Sequence, residues 1–177
     1  AMAVARDLGL PFSVKARGAD IHYWGARAYG RDALLETADA AAGVLAVCET
    51  LADDMAELGM ARDKITVHYT GLDRDLFRPM DHVGLKKRLG ESFGIPLAAS
   101  DTVLVTVGAL IERKGQAFVI KALADLPNAR LLLVGAGADE TSLRGLARQV
   151  GVADRVHFLG SLEPALLPPI LSAADAM

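Results

Sequence analysis

The residues able to do chemistry in this 177-residue chain cluster where short apolar runs end in glycine. In Val107-Gly108-Ala109-Leu110-Ile111-Glu112-Arg113-Lys114-Gly115-Gln116, an apolar run meets a glycine, then a basic pair, then a helix start. Lys114 supplies a compact ammonium and Gly115 lets backbone come close, while Arg113 is either a second anion partner or a solvated surface residue. Cations at a helix start oppose the helix dipole and therefore want an anion nearby. A phosphate would find both donors and charge there, and ordinary surface charge is the competing reading. A second loop, Val134-Gly135-Ala136-Gly137-Ala138-Asp139-Glu140, opens like a dinucleotide fingerprint. Glu140 stands where the third glycine belongs, so taken alone this loop reads better as a tight strand-to-helix turn. A third loop, residues 160–163, follows the next apolar run.

Other reactive side chains carry less. His22, His68, His82 and His157 are dispersed without ligand spacing, so they read as core or surface histidines and no metal site is expected. Cys48 is the single cysteine and reads as a buried small hydrophobe. Ser13 lies in no nucleophile elbow. Asp20, behind Gly18, could meet a sugar hydroxyl, although forming the turn is the commoner use of such an aspartate.

These loops need elements to hold them. Residues 12–17, 43–48 and 64–69 read as strands, with helices expected over 32–42 and 51–58, the latter capped by Thr50 and stopped by Gly59. Residues 70–79 are polar and turn-rich, as a crossing between domains would be. Beyond it, strands over 102–107, 130–134 and 155–159 alternate with helices over 116–126, 141–150 and 164–172. Strands separated by helices pair in parallel, with right-handed crossovers covering both sheet faces. The expected fold is α/β, with two doubly wound Rossmann-like parallel-sheet domains. Residues 1–75 form the end of the first, 76–100 the connection and 101–177 the start of the second. Ligands of such sheets bind outside the carboxyl ends of the strands, which brings the three glycine loops to one edge. With only about three strands in the first segment, fewer than such sheets usually have, the chain is expected to be a piece of a longer two-domain protein.

Composition sets outer bounds. Hydrophobic residues make up 52% and charged residues 23%, which describes a folded globular chain instead of a disordered one. The 19 Lys and Arg against 22 Asp and Glu leave a formal charge of −3, with no basic stripe for nucleic acid. The most apolar stretch, residues 38–47, contains Asp39 and falls short of the ~20 residues a membrane span needs. The start has no secretory-signal pattern, and one cysteine suits a reducing compartment, so a cytoplasmic location is expected.

Taken in order, these segments resemble the retaining, nucleotide-sugar-dependent glycosyltransferases of family 4, also called group 1, which have the GT-B fold. The resemblance is carried by Val44-Leu45-Ala46-Val47-Cys48-Glu49, by Lys64-Ile65-Thr66-Val67 with Thr70-Gly71-Leu72-Asp73 and Phe77-Arg78-Pro79, and by Val107-Gly108-Ala109-Leu110 with Arg113-Lys114-Gly115. Leu132-Leu133-Val134-Gly135-Ala136-Gly137 and Arg155-Val156-His157-Phe158-Leu159-Gly160 complete it.

The resemblance implies a nucleotide diphosphate sugar as donor substrate, no tightly bound cofactor, and transfer in a cleft between two domains. It implies Lys114 as the phosphate cation, with Gly108, Arg113, Gly135 and Gly137 on the donor side and Ser161 and Leu162 near the nucleotide base. Gly18 and Asp20 would lie on the acceptor side. Ala109 stands where the family often has Arg, and Arg17 where many members have His. Arg17 is thus a candidate for binding an anionic acceptor or the departing phosphate, and Thr70 replaces the usual interdomain Asn. The family's paired-glutamate motif for the donor sugar would fall beyond Met177. Polysaccharide, glycolipid and small-molecule acceptors all stay open, as does a peripheral position on the inner face of a membrane.

Three other readings compete. An NAD-dependent oxidoreductase would use Gly135 and Gly137, yet the following strand ends Phe158-Leu159-Gly160 without the acid that holds a ribose. A sugar-nucleotide epimerase of GT-B type shares the fold. A non-catalytic module is the third, and incomplete sheet edges would then drive self-association of the isolated chain.

Overall fold

The computed structural model describes residues 2–81 and 84–177; His82 lies outside them. The chain divides into two compact units, Ala1–Leu72 and Asp73–Met177.

In the first unit, helix α1 (Met2–Leu8) precedes strand β1 (Ser13–Ala16), helix α2 (Ala28–Ala40), strand β2 (Gly43–Ala46), helix α3 (Glu49–Leu58) and strand β3 (Ile65–Val67). The three strands pair in parallel in the order β1-β2-β3. Alternation along β2 buries Val44 and Ala46 against Leu51, Ala52 and Met55 of α3 and Ala38 of α2. Both helices therefore pack on one face of this sheet. Crossovers of one hand between sequential neighbours deliver successive helices to the same side.

Two local expectations change. Thr50 lies inside α3, and the residue at its N-cap is Cys48, with extended backbone and no side-chain cap. Cys48 is half-buried and packs on the edge of the core. Asp20–Trp24 forms a π-helix between β1 and α2.

The second unit begins with α4 (Leu85–Phe93), which sequence patterning does not single out. It continues through β4 (Thr102–Val107), α5 (Gln116–Ala122), β5 (Ala129–Val134), α6 (Glu140–Val150), β6 (Val156–Gly160) and α7 (Leu167–Ala173). The strands pair in parallel in the order β4-β5-β6. Here both faces are covered. Leu131 and Leu133 of β5 join Ile120 of α5 and Leu143 and Ala147 of α6. Leu132 and Val134, pointing the other way, join Leu85 and Leu89 of α4 and Ile170 of α7. Full burial of each such leucine contributes about 1.5–3 kcal/mol, and β5, buried throughout except for Arg130, is the centre of the unit.

Past α7, Ala176 forms a parallel bridge with Leu104, on the edge of β4 away from β5. Asp175 aligns that segment, its carboxylate accepting the Val103 N–H at 2.7 Å and meeting Lys86 Nζ at 2.7 Å. The chain thus winds from β4 outward to β6, then crosses by α7 to the other side of β4. The winding direction reverses at β4.

Candidate functional site

Open α/β sheets bind ligands beyond the carboxyl end of the strand where winding reverses. In the second unit that strand is β4, and the loop leaving it carries Gly108 and Lys114.

The loop is held from three directions. Gly108 donates its N–H to the Val134 carbonyl at 2.9 Å, continuing the β4–β5 ladder by one residue. Leu110 is fully buried among α5 and α6 side chains, its N–H donating to the Ala136 carbonyl at 3.1 Å. Gln116, at the start of α5 and 3% exposed, donates from Nε2 to the Ala109 carbonyl at 3.0 Å. Gln116 carries no signal of this role in the sequence. Its burial depends on the loop folding back over α5, and a polar residue at a helix start gives no sign of that.

After Leu110 the chain makes a 3-10 turn over Glu112–Lys114 and leaves it through Gly115 at φ +73°. This turn brings Lys114 back over the strand end. A Cβ built at Gly108 would lie 3.7 Å from Lys114 Cε, so the lysine's aliphatic stem runs alongside the bare glycine. Gly108 has φ +151°, and its lack of a side chain both permits that backbone and leaves the stem its path. Lys114 and Arg113 are exposed, and among the described residues neither has an ion-pair partner. The result is an ammonium held at the carboxyl edge of the sheet with its charge unmatched.

The β5–α6 loop lies against this one. A Cβ at Gly135 (φ +129°) would collide with the Gly108 carbonyl, and one at Gly137 would collide with the backbone of Leu110. The two glycines thus serve close contact between two loops, and the space beside Gly135 is filled by protein. That is the tight-turn reading of this motif, with a stated partner for each glycine. The third loop joins through the Gly135 N–H, which donates to the Gly160 carbonyl at 2.7 Å. Ser161 next to it is exposed, and Leu162 packs half-buried against the α4 and α7 side of the sheet. The structure therefore assembles Gly108, Lys114, Gly135, Gly137 and Gly160 at one edge, with Arg113, Ser161 and Leu162 adjoining.

Arg17, Gly18 and Asp20 belong to the first unit, at the carboxyl end of β1. The Asp20 carboxylate accepts N–H groups from Arg17 at 3.1 Å, Gly18 at 2.8 Å and Ile21 at 3.2 Å. It thereby fixes the turn through Gly18 (φ +116°) and starts the π-helix. The Arg17 side chain is exposed. Nearby, Lys15 Nζ lies 2.9 Å from His68 Nδ1.

The remaining histidines stand apart. His22 pairs with Asp54 at 2.8 Å. His157 on β6 is half-buried with Nε2 unpartnered among the described residues; burial and the Arg130 charge hold its pKa below the usual histidine value, against a smaller opposing effect of Asp154. Among the described residues no three His, Cys, Asp or Glu side chains converge as metal ligands. No described helix is long and apolar enough to cross a membrane.

Known proteins resemble this chain in sequence and in fold. The chain is 33% identical over 117 residues to the D-inositol 3-phosphate glycosyltransferase of Mycobacteroides abscessus, covering 63% of this chain and 25% of that protein. It is 31% identical over 132 residues to the lipopolysaccharide core biosynthesis glycosyltransferase LpsE of Rhizobium meliloti, covering 73% of this chain and 35% of that one. The chain spans about a quarter to a third of the length of these relatives. Among solved structures, Anabaena HepE in complex with UDP and glucose superimposes with a TM-score of 0.83 at 21% identity, over 98% of this chain and 47% of its own. Sucrose-phosphate synthase from Thermosynechococcus elongatus gives 0.76 at 21% identity, over 98% and 46%. These likenesses establish the fold as the GT-B type. The sequence profile of the glycosyl transferases group 1 family matches residues 87–177, which takes in the whole β4-to-α7 unit around Lys114, and the chain belongs to that family.

Proposed function

We propose that this protein transfers a sugar from a nucleotide diphosphate sugar to an acceptor, and that the second unit binds the donor through Lys114. The carrying observation is the unmatched Lys114 ammonium, laid over Gly108 where the winding of the sheet reverses. When the glycosidic bond to the diphosphate breaks, negative charge grows on the departing phosphate oxygens. A cation already fixed in place stabilises that charge without reorganising at the moment of reaction. The backbone of the loop that carries Lys114 is so fixed, because Gln116 and Leu110 anchor it. Gly108, Gly135 and Gly137 shape the floor, Arg113 adds a second cation, and Ser161 and Leu162 border the nucleotide base. In the first unit Arg17 is the catalytic-side cation and the turn at Gly18 and Asp20 faces the acceptor.

The finer assignments rest on likeness. Retention of configuration is supported by the resemblance to family 4. A role in glycoconjugate or polysaccharide synthesis is supported by relatives named for inositol phosphate and lipopolysaccharide core transfer. A UDP-linked donor is supported by the HepE complex with UDP and glucose. The lone Cys48 and the absence of a described spanning helix fit work in the cytoplasm, at or near a membrane face.

Calorimetric titration of the chain with UDP, GDP, ADP and NAD tests the donor assignment. One nucleoside diphosphate should bind and should weaken in Lys114→Ala. Preference for NAD, or equal affinity in the variant, would overturn it.

A further inference from the structure

Outside the loops already described, one exposed group of side chains is ordered without an evident structural reason. The π-helix Asp20–Trp24 ends in Tyr23 and Trp24, each 54% exposed and packed edge to face with ring centroids 5.2 Å apart. Arg27 lays its guanidinium 3.6 Å from the Tyr23 ring centroid and 5.9 Å from that of Trp24. Its Nη1 also donates to the Tyr23 carbonyl at 2.5 Å. The guanidinium is therefore held in one orientation by a ring and a backbone acceptor, leaving most of its five N–H donors to point elsewhere. Among the described residues it meets no carboxylate. An exposed arginine ordinarily gains little from being ordered and loses side-chain entropy. Ordering it beforehand does benefit a ligand, which then avoids that cost on binding.

The chemistry of such a ligand can be read from the three side chains. A half-exposed indole offers a flat apolar face on which the C–H face of a pyranose can stack. A fixed guanidinium offers paired donors that match a phosphate or carboxylate. Residues 15–32 carry four Lys or Arg against Asp20 and Asp32, in a chain whose net charge is −3. The Asp20 carboxylate is occupied by backbone N–H groups. We infer that Trp24 and Arg27, braced by Tyr23, form a binding site for an anionic pyranose, a sugar ring bearing a phosphate or carboxylate, and that this ring belongs to the acceptor. The acceptor role rests on the transfer reading above. The binding site itself does not.

Trp24 is the single tryptophan of the chain, so its emission reports on this site alone. The 177-residue chain, free of nucleotide, is titrated with glucose 6-phosphate, glucuronate, glucose and inorganic phosphate, with the Trp24 indole N–H resonance as a second readout. Both anionic sugars should give a saturable change. Glucose and inorganic phosphate should each bind about tenfold or more weaker, the loss expected when one charge-assisted contact or the stacked ring is missing. Arg27→Ala should weaken both anionic sugars about tenfold or more, and Arg27→Lys should fall between, keeping charge without the planar fork. No saturable response in either readout would overturn the proposal. So would an equal response to inorganic phosphate, or a response only to phosphatidylglycerol-containing vesicles, which would make the patch a membrane contact. Calorimetry with UDP, GDP and ADP on the same sample separates the two claims. Absence of binding by all three with a retained Trp24 response would sink the transfer reading and leave the sugar site standing; the reverse would sink only the site.

Discussion

The Gly108 carbonyl occupies the space that a side chain at Gly135 would need. This contact locks the β5–α6 loop to the β4–α5 loop and leaves Lys114 a defined floor to cross. Gly135→Ala should therefore be costly, since it adds a collision to an unfavourable φ of +129°. We expect a loss of about 2–5 kcal/mol in urea denaturation of the second unit. Gly145→Ala is the matched control, because an added Cβ there meets nothing within 4 Å in the middle of α6. It should stabilise by about 0.5–1 kcal/mol.

Gln116→Ala removes the side-chain donor that reaches the Ala109 carbonyl. Leaving that group without its partner should cost about 1–3 kcal/mol in stability. Nucleoside diphosphate affinity should fall as well, because the loop carrying Lys114 loses one anchor. A stability loss with unchanged affinity would confine Gln116 to a folding role.

The second unit should lose stability in acid through Asp101. Burial raises its carboxyl pKa, but the Ala98 N–H, the hydrogen bond and charge of Arg130 and the charge of Lys86 together outweigh it and leave the pKa lowered. Arg130 Nε lies 2.5 Å from Asp101 Oδ2, with side chains 23% and 14% exposed. A carboxylate whose folded pKa is depressed contributes stability that is fully present above its unfolded value, about 3.9, and is lost as pH falls through the folded value. Urea midpoints should drop below about pH 4, and Asp101→Asn should flatten that drop. An unchanged acid limb in the variant would assign it to other carboxylates.

How much of this was legible in the sequence depended on the range of the contacts involved. The run 130–134 reads directly as a strand because β5 is buried on both sheet faces, so every position after Arg130 is apolar, whereas along 102–107 burial alternates, with Val103 and Val105 buried and Thr102 and Val107 exposed. Lys114 was visible through its neighbours in sequence, a glycine on either side of a basic pair. Helix α4 reads as part of a connection in the sequence, because Lys86, Lys87 and Arg88 hide the i, i+4 pair Leu85 and Leu89 that packs on the sheet. Cys48 in place of Thr50 at the N-cap reflects how early α3 begins, with no side-chain cap to mark the boundary. Gln116 and the Gly108–Gly135 contact were out of reach, since each joins segments that meet only after the sheet has formed.

The most direct measurement is calorimetric titration of the wild-type chain and of Lys114→Ala with UDP, GDP and ADP. Lys114 is exposed, and removing it should leave the fold intact while weakening the preferred diphosphate by about 1.5–3 kcal/mol. Binding of one diphosphate with that loss in the variant is the predicted result. Equal affinity in the two proteins would contradict the placement of the donor phosphates over Gly108.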